Sequence, residues 1–283
     1  MPTPSVRAGS GEPLLLLHPF MTSHDVWADV VPRLARGFDV LAPTLPGHWG
    51  GPHLPRRQVS IEAFADGVEA LLDREGWDTC HVAGNSIGGW LALEMARRGR
   101  ARSVTAIAPA GGWDRFSPAQ MRVGAAFLSL APLAMAGRVT GDVGSRLAAA
   151  RRVALGVVSG DVAAVPRVRA DALVRAATRC SAFLPYVWSD LRVGGVRDLA
   201  AVHRSGVPVR LVLCERDRLL PPRLYGGRFL EALPDAEVVR LDEVGHVPML
   251  EAPGLVADLV GEHAAAHRTG PVLRVLDGLG GTA

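Results

Sequence analysis

Six short apolar runs punctuate both ends of this 283-residue chain: PLLLLHP (13–19), FDVLAPT (38–44), TCHVAG (79–84), SVTAIAPA (103–110), VPVRLVLC (207–214) and AEVVRLDE (236–243). Each is too short for an independent helix and nearly continuous in apolar character, which predicts strands covered on both faces. Helical spacing fills the gaps between them. In SIEAFADGVEALLDREG (60–76) the apolar positions Ile61, Phe64, Ala65, Val68, Leu71 and Leu72 recur at helical intervals behind Ser60, a natural N-cap. IGGWLALEMARRG (87–99) closes on Arg97, Arg98 and Gly99, which is a helix stop. Strand and helix in alternation predict an α/β fold: a mostly parallel sheet flanked by helices.

The alternation fails between Gly112 and about Val196, a stretch with no strand-like run that is too long and apolar for a bare loop. Ser117-Pro118-Ala119-Gln120 combines an N-cap serine, proline at the first helical position and glutamine at the third. Asp142 and Pro166 mark further helix starts. The expected organisation is therefore a core made of 1–112 and 196–283, with a helical cap, 113–195, inserted into it. The Gly-rich stretch from Thr269 onward reads as a loosely docked tail.

Composition removes several classes of function. All 31 basic residues are arginine, which rules out a Schiff-base lysine and a P-loop lysine. The net charge is only +3, and the arginines pair locally without forming a long basic run, so no nucleic-acid partner is expected. Three cysteines, Cys80, Cys180 and Cys214, stand at no ligand-like spacing and suit core filling better than a disulfide framework or a zinc site. The first residues carry no signal-peptide pattern, and the longest apolar stretch (123–137) is too short to span a bilayer. These features predict a cytoplasmic protein with a small-molecule substrate, no membrane partner, no cofactor and no metal.

One segment asks for more than punctuation. HVAGNSIGGW (81–90) places Gly84, Ser86, Gly88 and Gly89 where a strand gives way to a helix, and contains G-x-S-x-G. Small neighbours let strand and helix approach while Ser86 stands forward in a strained turn, and the helix N-terminus then points free N–H groups at developing negative charge. A serine nucleophile needs a base and the base needs an orienting acid. Of nine histidines, His246 in VGHVP follows the last strand and reaches back over the sheet edge. His81 lies within a strand, His263 and His267 stand four apart on a terminal helix with no third ligand nearby, and His48 and His53 flank Gly-rich loop sequence and are candidates to line the site mouth. Asp217 in CERDRLLPP is the favoured acid; Asp114, after an earlier strand, is its rival, and Glu215 reads as a strand-end charge. The chain order Ser86, Asp217, His246 differs from that of the two familiar protease folds.

With these residues in place the chain resembles the α/β-hydrolase superfamily, in its capped esterase and haloperoxidase-like branch, from Glu12 to about His267. LLLLHPF resembles the family's strand and oxyanion loop, APTLPGH its next strand and turn, and CERDRLLPP and GHVPMLEAP its acid and histidine segments. The resemblance implies a serine hydrolase in which Ser86, His246 and Asp217 are catalytic and the backbone N–H groups of Phe20 and Ile87 form the oxyanion hole. Trp49, Phe127, Leu128 and Val247 are the expected substrate contacts, with apolar cap positions Leu130, Leu133 and Met135 behind them. Pro19 and Trp49 depart from the family's usual loop and turn, and the sheet is expected to be short before Glu12. The same triad serves C–C hydrolases, lactonases and acyltransferases, and occurs in non-catalytic receptors. Dehalogenases and epoxide hydrolases of this fold resemble the chain less, since they carry aspartate where it has Ser86.

Overall fold

The computed structural model describes residues 4–132, 134–135 and 148–268. Seven strands form one sheet: β1 Ser5–Ala8, β2 Glu12–Leu17, β3 Phe38–Pro43, β4 Cys80–Asn85, β5 Ala101–Ile107, β6 Val209–Cys214 and β7 Glu237–Leu241. Their order is β1-β3-β2-β4-β5-β6-β7, and every pairing is parallel except the antiparallel edge of β1 on β3. β4 and β6 are buried along their whole length, as their unbroken apolar runs require. β1 had no apolar run to announce it, so the edge before Glu12 is short, as expected, yet occupied.

The helices, numbered in chain order, are α1 Val31–Leu34, α2 Ile61–Glu75, α3 Ile87–Arg97, α4 Pro118–Ser129, α5 Ala148–Val158, α6 Arg167–Arg179, α7 Phe183–Val193, α8 Leu199–Arg204, α9 Pro222–Tyr225, α10 Gly227–Ala232 and α11 Pro253–Ala266. α2 begins where Ser60 Oγ accepts the Ala63 amide and ends on Gly76 at φ 71°, a left-handed cap that glycine takes without strain. At α4, Ser117 Oγ accepts the Gln120 amide at 3.2 Å, while Gln120 Oε1 accepts the Phe116 amide at 2.7 Å. Pro166 opens α6, whereas the helix start read at Asp142, the side chain of Leu133 and the tail from Thr269 lie outside the described residues.

Two apolar layers sandwich the sheet. Leu15, Leu17, Phe64, Leu72, Val82 and Leu91 belong to one, and Leu14, Leu16, Trp27, Val40, Val212 and Val260 to the other. Alternate leucines of β2 thus face opposite layers, following the two-residue period of a strand. Cys80, Cys180 and Cys214 are buried and form no disulfide with one another, so they fill space as composition suggested. The described residues between β5 and β6 are helical wherever they are regular, and α4 to α7 stand over Ser86. Among the described residues no helix is long and apolar enough to cross a membrane.

Candidate active site

The three glycines around Ser86 each have a steric reason. A Cβ on Gly84 would overlap the Gly88 carbonyl, and one on Gly88 would overlap the Leu17 carbonyl at the end of β2. A Cβ on Gly89 would press on Pro109 at 3.1 Å. With the backbone packed this closely, Ser86 turns through φ 57°, ψ −116°, a conformation L-residues avoid and which persists only because its neighbours impose it. The Ser86 amide donates to Ile107 O at 2.9 Å, and its carbonyl accepts from Ala110 and Trp90, so both sides of the turn are pinned to β5 and α3.

His246 and Asp217 come together from separate loops. His246 Nδ1 lies 2.6 Å from Asp217 Oδ2, with both side chains buried. Asp217 Oδ1 accepts the amides of Leu219 (2.8 Å) and Leu220 (2.7 Å), so both carboxyl oxygens are satisfied and Oδ2 faces the ring. Such an acceptor fixes the Nδ1–H tautomer and leaves Nε2 as the free lone pair. Nε2 is buried and makes no hydrogen bond, and His246 lines the same chamber as Ser86. Asp114, the rival acid, is 85% exposed and bonded to Arg228 at 2.9 Å, and makes no contact with His246. Glu215, as its strand-end position suggested, pairs with Arg240 at 2.6 Å.

Two residues essential to this geometry escaped the sequence reading. Asn85, the variable position of the motif, donates through Nδ2 to Ile107 O (3.0 Å) and His246 O (2.9 Å), so the serine turn and the histidine loop share one side chain. Glu251 accepts the Gly245 amide at 2.6 Å and the amides of Gly160 and Asp161 at 3.0 and 2.8 Å. Its carboxylate ties the His246 loop to the turn after α5, where Gly160 and Gly245 are backbone to backbone and a Cβ on either would collide. Neither role has a sequence signature, because each depends on a partner 90 or more residues away in the chain.

The Phe20 and Ile87 N–H groups donate to no protein acceptor among the described residues, and both residues line a chamber with Ser86. Pro19 has no N–H to offer, and Met21 next to Phe20 is held at φ 62°. His18 braces this loop: Thr22 Oγ1 lies 3.1 Å from its Nδ1, and its Nε2 accepts the Leu45 amide at 2.9 Å. Burial and the nearby His48 push the His18 imidazole well below its ordinary value, and burial lowers His48 to about 4, so both rings are neutral braces.

Expected substrate contacts divide. Phe127 lines both chambers beside Ser86, with its ring 5.4 Å from that of Phe20, and Val247 lines the larger chamber with Leu130. Leu128 does not: it is 39% exposed, since it follows Phe127 by 100° around α4 and so faces away. Met135 lies 61% exposed on the outer surface. Trp49 also misses the chambers and stacks under Arg179, whose guanidinium lies 4.8 Å from its ring. His48 is buried among His18, Phe20 and Phe64, and His53 is exposed, so neither lines the mouth. His81 is the packed strand residue expected, 2.8 Å from Ser103 Oγ. No group of three or more His, Cys, Asp or Glu among the described residues is arranged to hold a metal.

A strained serine at a strand-to-helix turn, a buried carboxylate–imidazole pair and free amides beside them define a hydrolase of the α/β class. The family model of the alpha/beta hydrolase family matches residues 14–259, and the chain belongs to that family. It is 40% identical to the epoxide hydrolase EphH of Mycobacterium tuberculosis over 203 residues, 71% of this chain and 94% of that one. It is also 30% identical to the pimeloyl-[acyl-carrier protein] methyl ester esterase of Aromatoleum aromaticum, over 87% of this chain and 96% of the relative. A thermophilic esterase from Thermogutta terrifontis superposes with a TM-score of 0.71 at 20% identity, covering 94% of this chain and 93% of the other, a likeness of fold.

Proposed function

We propose that this hydrolase cleaves an ester-like acyl bond of a small, mostly apolar substrate through a Ser86–His246–Asp217 triad, with the helices of 113–195 acting as a cap over a core of 1–112 and 196–283. The observation that carries the reading is the buried His246–Asp217 pair whose unpartnered Nε2 shares a chamber with Ser86. In this reading Nε2 takes the Ser86 proton as Oγ attacks the carbonyl carbon. The amides of Phe20 and Ile87 donate to the oxyanion, and Nε2 returns the proton to the leaving alcohol. Water, deprotonated by the same nitrogen, then releases the acid from the acyl-enzyme. Asp217 stays ionised throughout and stabilises the imidazolium.

Likeness to an epoxide hydrolase and to an esterase poses a choice, and Ser86 favours the ester. An alkoxide that opens an epoxide leaves an ether, which has no carbonyl for water to attack, so the enzyme would stop after one turn. The same alkoxide attacking an ester leaves an acyl group that water removes. A fluorophosphonate is expected to label Ser86 alone, and Ser86→Ala is expected to lose both labelling and turnover of short p-nitrophenyl esters. Full turnover by Ser86→Ala would end the triad reading.

A further inference from the structure

Two chambers meet at Ser86. The larger, about 90 Å³, is walled by Leu130, Ala154, Val157, Leu173 and Val247 and is almost wholly apolar. The smaller, about 30 Å³, lies on the other side of Ser86, Phe20, Phe127 and Leu219, which line both. It differs in kind. Asp190 and Trp113 are part of its wall, and the Asp190 Oδ1 and Trp113 Nε1 atoms are buried with no hydrogen-bond partner. Tyr186, one turn before Asp190 on the same face of α7, also lines it and makes no hydrogen bond through its hydroxyl among the described residues. Buried polar atoms are nearly always satisfied, and an unsatisfied acceptor and donor in the wall of one small chamber, beside the reacting serine, call for a group that is both donor and acceptor. Burial also raises the Asp190 carboxyl to about 7, against the opposing effect of Gln120.

We propose that the smaller chamber is a polar subsite in which Asp190 and Trp113 receive a hydroxyl on the short limb of the substrate, while the long apolar limb occupies the larger chamber. A hydroxyl is the single group that can both donate to Asp190 Oδ1 and accept from the Trp113 indole N–H. An ammonium leaves the indole unpaired, and a carboxylate is repelled by Asp190. The volume admits a short limb and no long chain. The larger chamber, with only apolar walls apart from Ser86, His246 and threonines at its edges, makes no such distinction.

The assignment rests on Ser86 being the nucleophile, and the test separates the two. Two isosteric ester pairs place the hydroxyl on either limb: 2-hydroxyethyl against propyl hexanoate, and hexyl 3-hydroxypropanoate against hexyl butanoate. In one pair the hydroxylated ester is expected to have the higher kcat/KM, on the order of tenfold. Asp190→Leu is expected to erase that preference while still turning over the apolar member, and Asp190→Asn to keep part of it. Equal rates within both pairs, or a preference that survives Asp190→Leu, overturns the subsite and leaves the serine reading standing. Binding is read independently in Ser86→Ala by NMR of the indole N–H of Trp113, assigned with Trp113→Phe. A shift of that resonance with a hydroxylated ester and not with its isostere supports the subsite even if the wild type cleaves none of the four. No shift with either hydroxylated ester overturns it.

Discussion

The loops at the sheet edge and the helices above them are built on opposite terms. In the loops the groups that hold the serine turn and the histidine ring in place are paired: both oxygens of Asp217, the backbone of Ser86, the carbonyl of His246 and the amide of Gly245, while His246 Nε2 and Asn85 Oδ1 are left without partners. The helices α4 to α7 face the chambers mainly with apolar side chains, touch the Asp217 loop through Arg122, which donates to the carbonyls of Arg218 and Leu219, and, with Trp113 just before α4, leave Asp190 Oδ1 and Trp113 Nε1 unpaired. Hydrogen bonds fix direction, whereas apolar contact fixes only proximity. In the proposed reading, the part that handles the proton is thus held in one geometry, and the part that meets the substrate selects it by shape and by a few polar atoms.

The contrast breaks if a change in the loops proves mild. Asp217→Asn keeps the shape but reverses the hydrogen bond to His246, and is expected to lower kcat by about 10⁴. Asp114→Asn, at the exposed partner of Arg228, is expected to stay within about twofold in the same assay. The reverse pattern would move the acid to the other strand end. One lost donor comes next in size. Phe20→Pro removes the proposed oxyanion N–H and is expected to cost 10²–10³ in kcat, with circular dichroism to check that the variant folds. Near-normal kcat in a folded variant would shift the donor to Met21. Phe20→Ala keeps the amide but empties the ring from a cluster with Phe127, Tyr186 and His48, so its effect is expected in stability and KM.

The same division governs what the sequence disclosed. Strands β2 to β7, the glycine-flanked Ser86 and the residues Asp217 and His246 were legible because backbone sterics and local pattern dictate them. β1 was not: SVRA is four residues with no apolar run, and it becomes a strand only because β3 presents an edge. Helical spacing placed Phe127 and missed the direction of Leu128, since a short pattern does not say which side of α4 faces the chamber. Trp49 looked like a pocket residue because it interrupts a family turn, yet Arg179, 130 residues away, claims its ring. Asn85 and Glu251 act through distant backbone, which no local motif records.

Above the loops, smaller effects are expected. Phe127→Ala enlarges both chambers at their junction and is expected to raise KM about tenfold for a hexanoate ester with kcat little changed. If kcat falls with it, α4 positions the reacting bond as well as the chain, and the contrast between the two regions weakens. A series of esters of increasing chain length sharpens the same point. Rising kcat/KM with added methylenes in the wild type, flattened in Phe127→Ala, is the expected result.

The mildest consequence belongs to Asp190 and is read in stability. Burial raises its carboxyl from an ordinary 3.8 to about 7, and Tyr186, itself pushed well above its usual value by burial and then by Asp190 and Glu62, offers no positive charge to oppose this. Between those two pH values the folded chain binds more protons at Asp190 than the unfolded chain, so this residue's contribution to stability falls as pH rises and is constant above about 7. Asp190→Asn cannot ionise, and its own packing cost is the same at every pH. The Tm of the variant relative to wild type is therefore expected to increase from pH 4 to pH 8. The ideal limit is about 4 kcal/mol, but Asp190 is partly exposed and solvent screens it, so about 1 kcal/mol, or two to four degrees, is the expected size. The buried neutral rings of His18 and His48 act in the opposite sense, costing stability as pH falls below about 6.5, but they are common to both proteins and cancel in the difference. A gap that does not change with pH would show Asp190 ionised and solvated at neutral pH, and would remove the unpaired carboxylate that sets α7 apart from the loops below it.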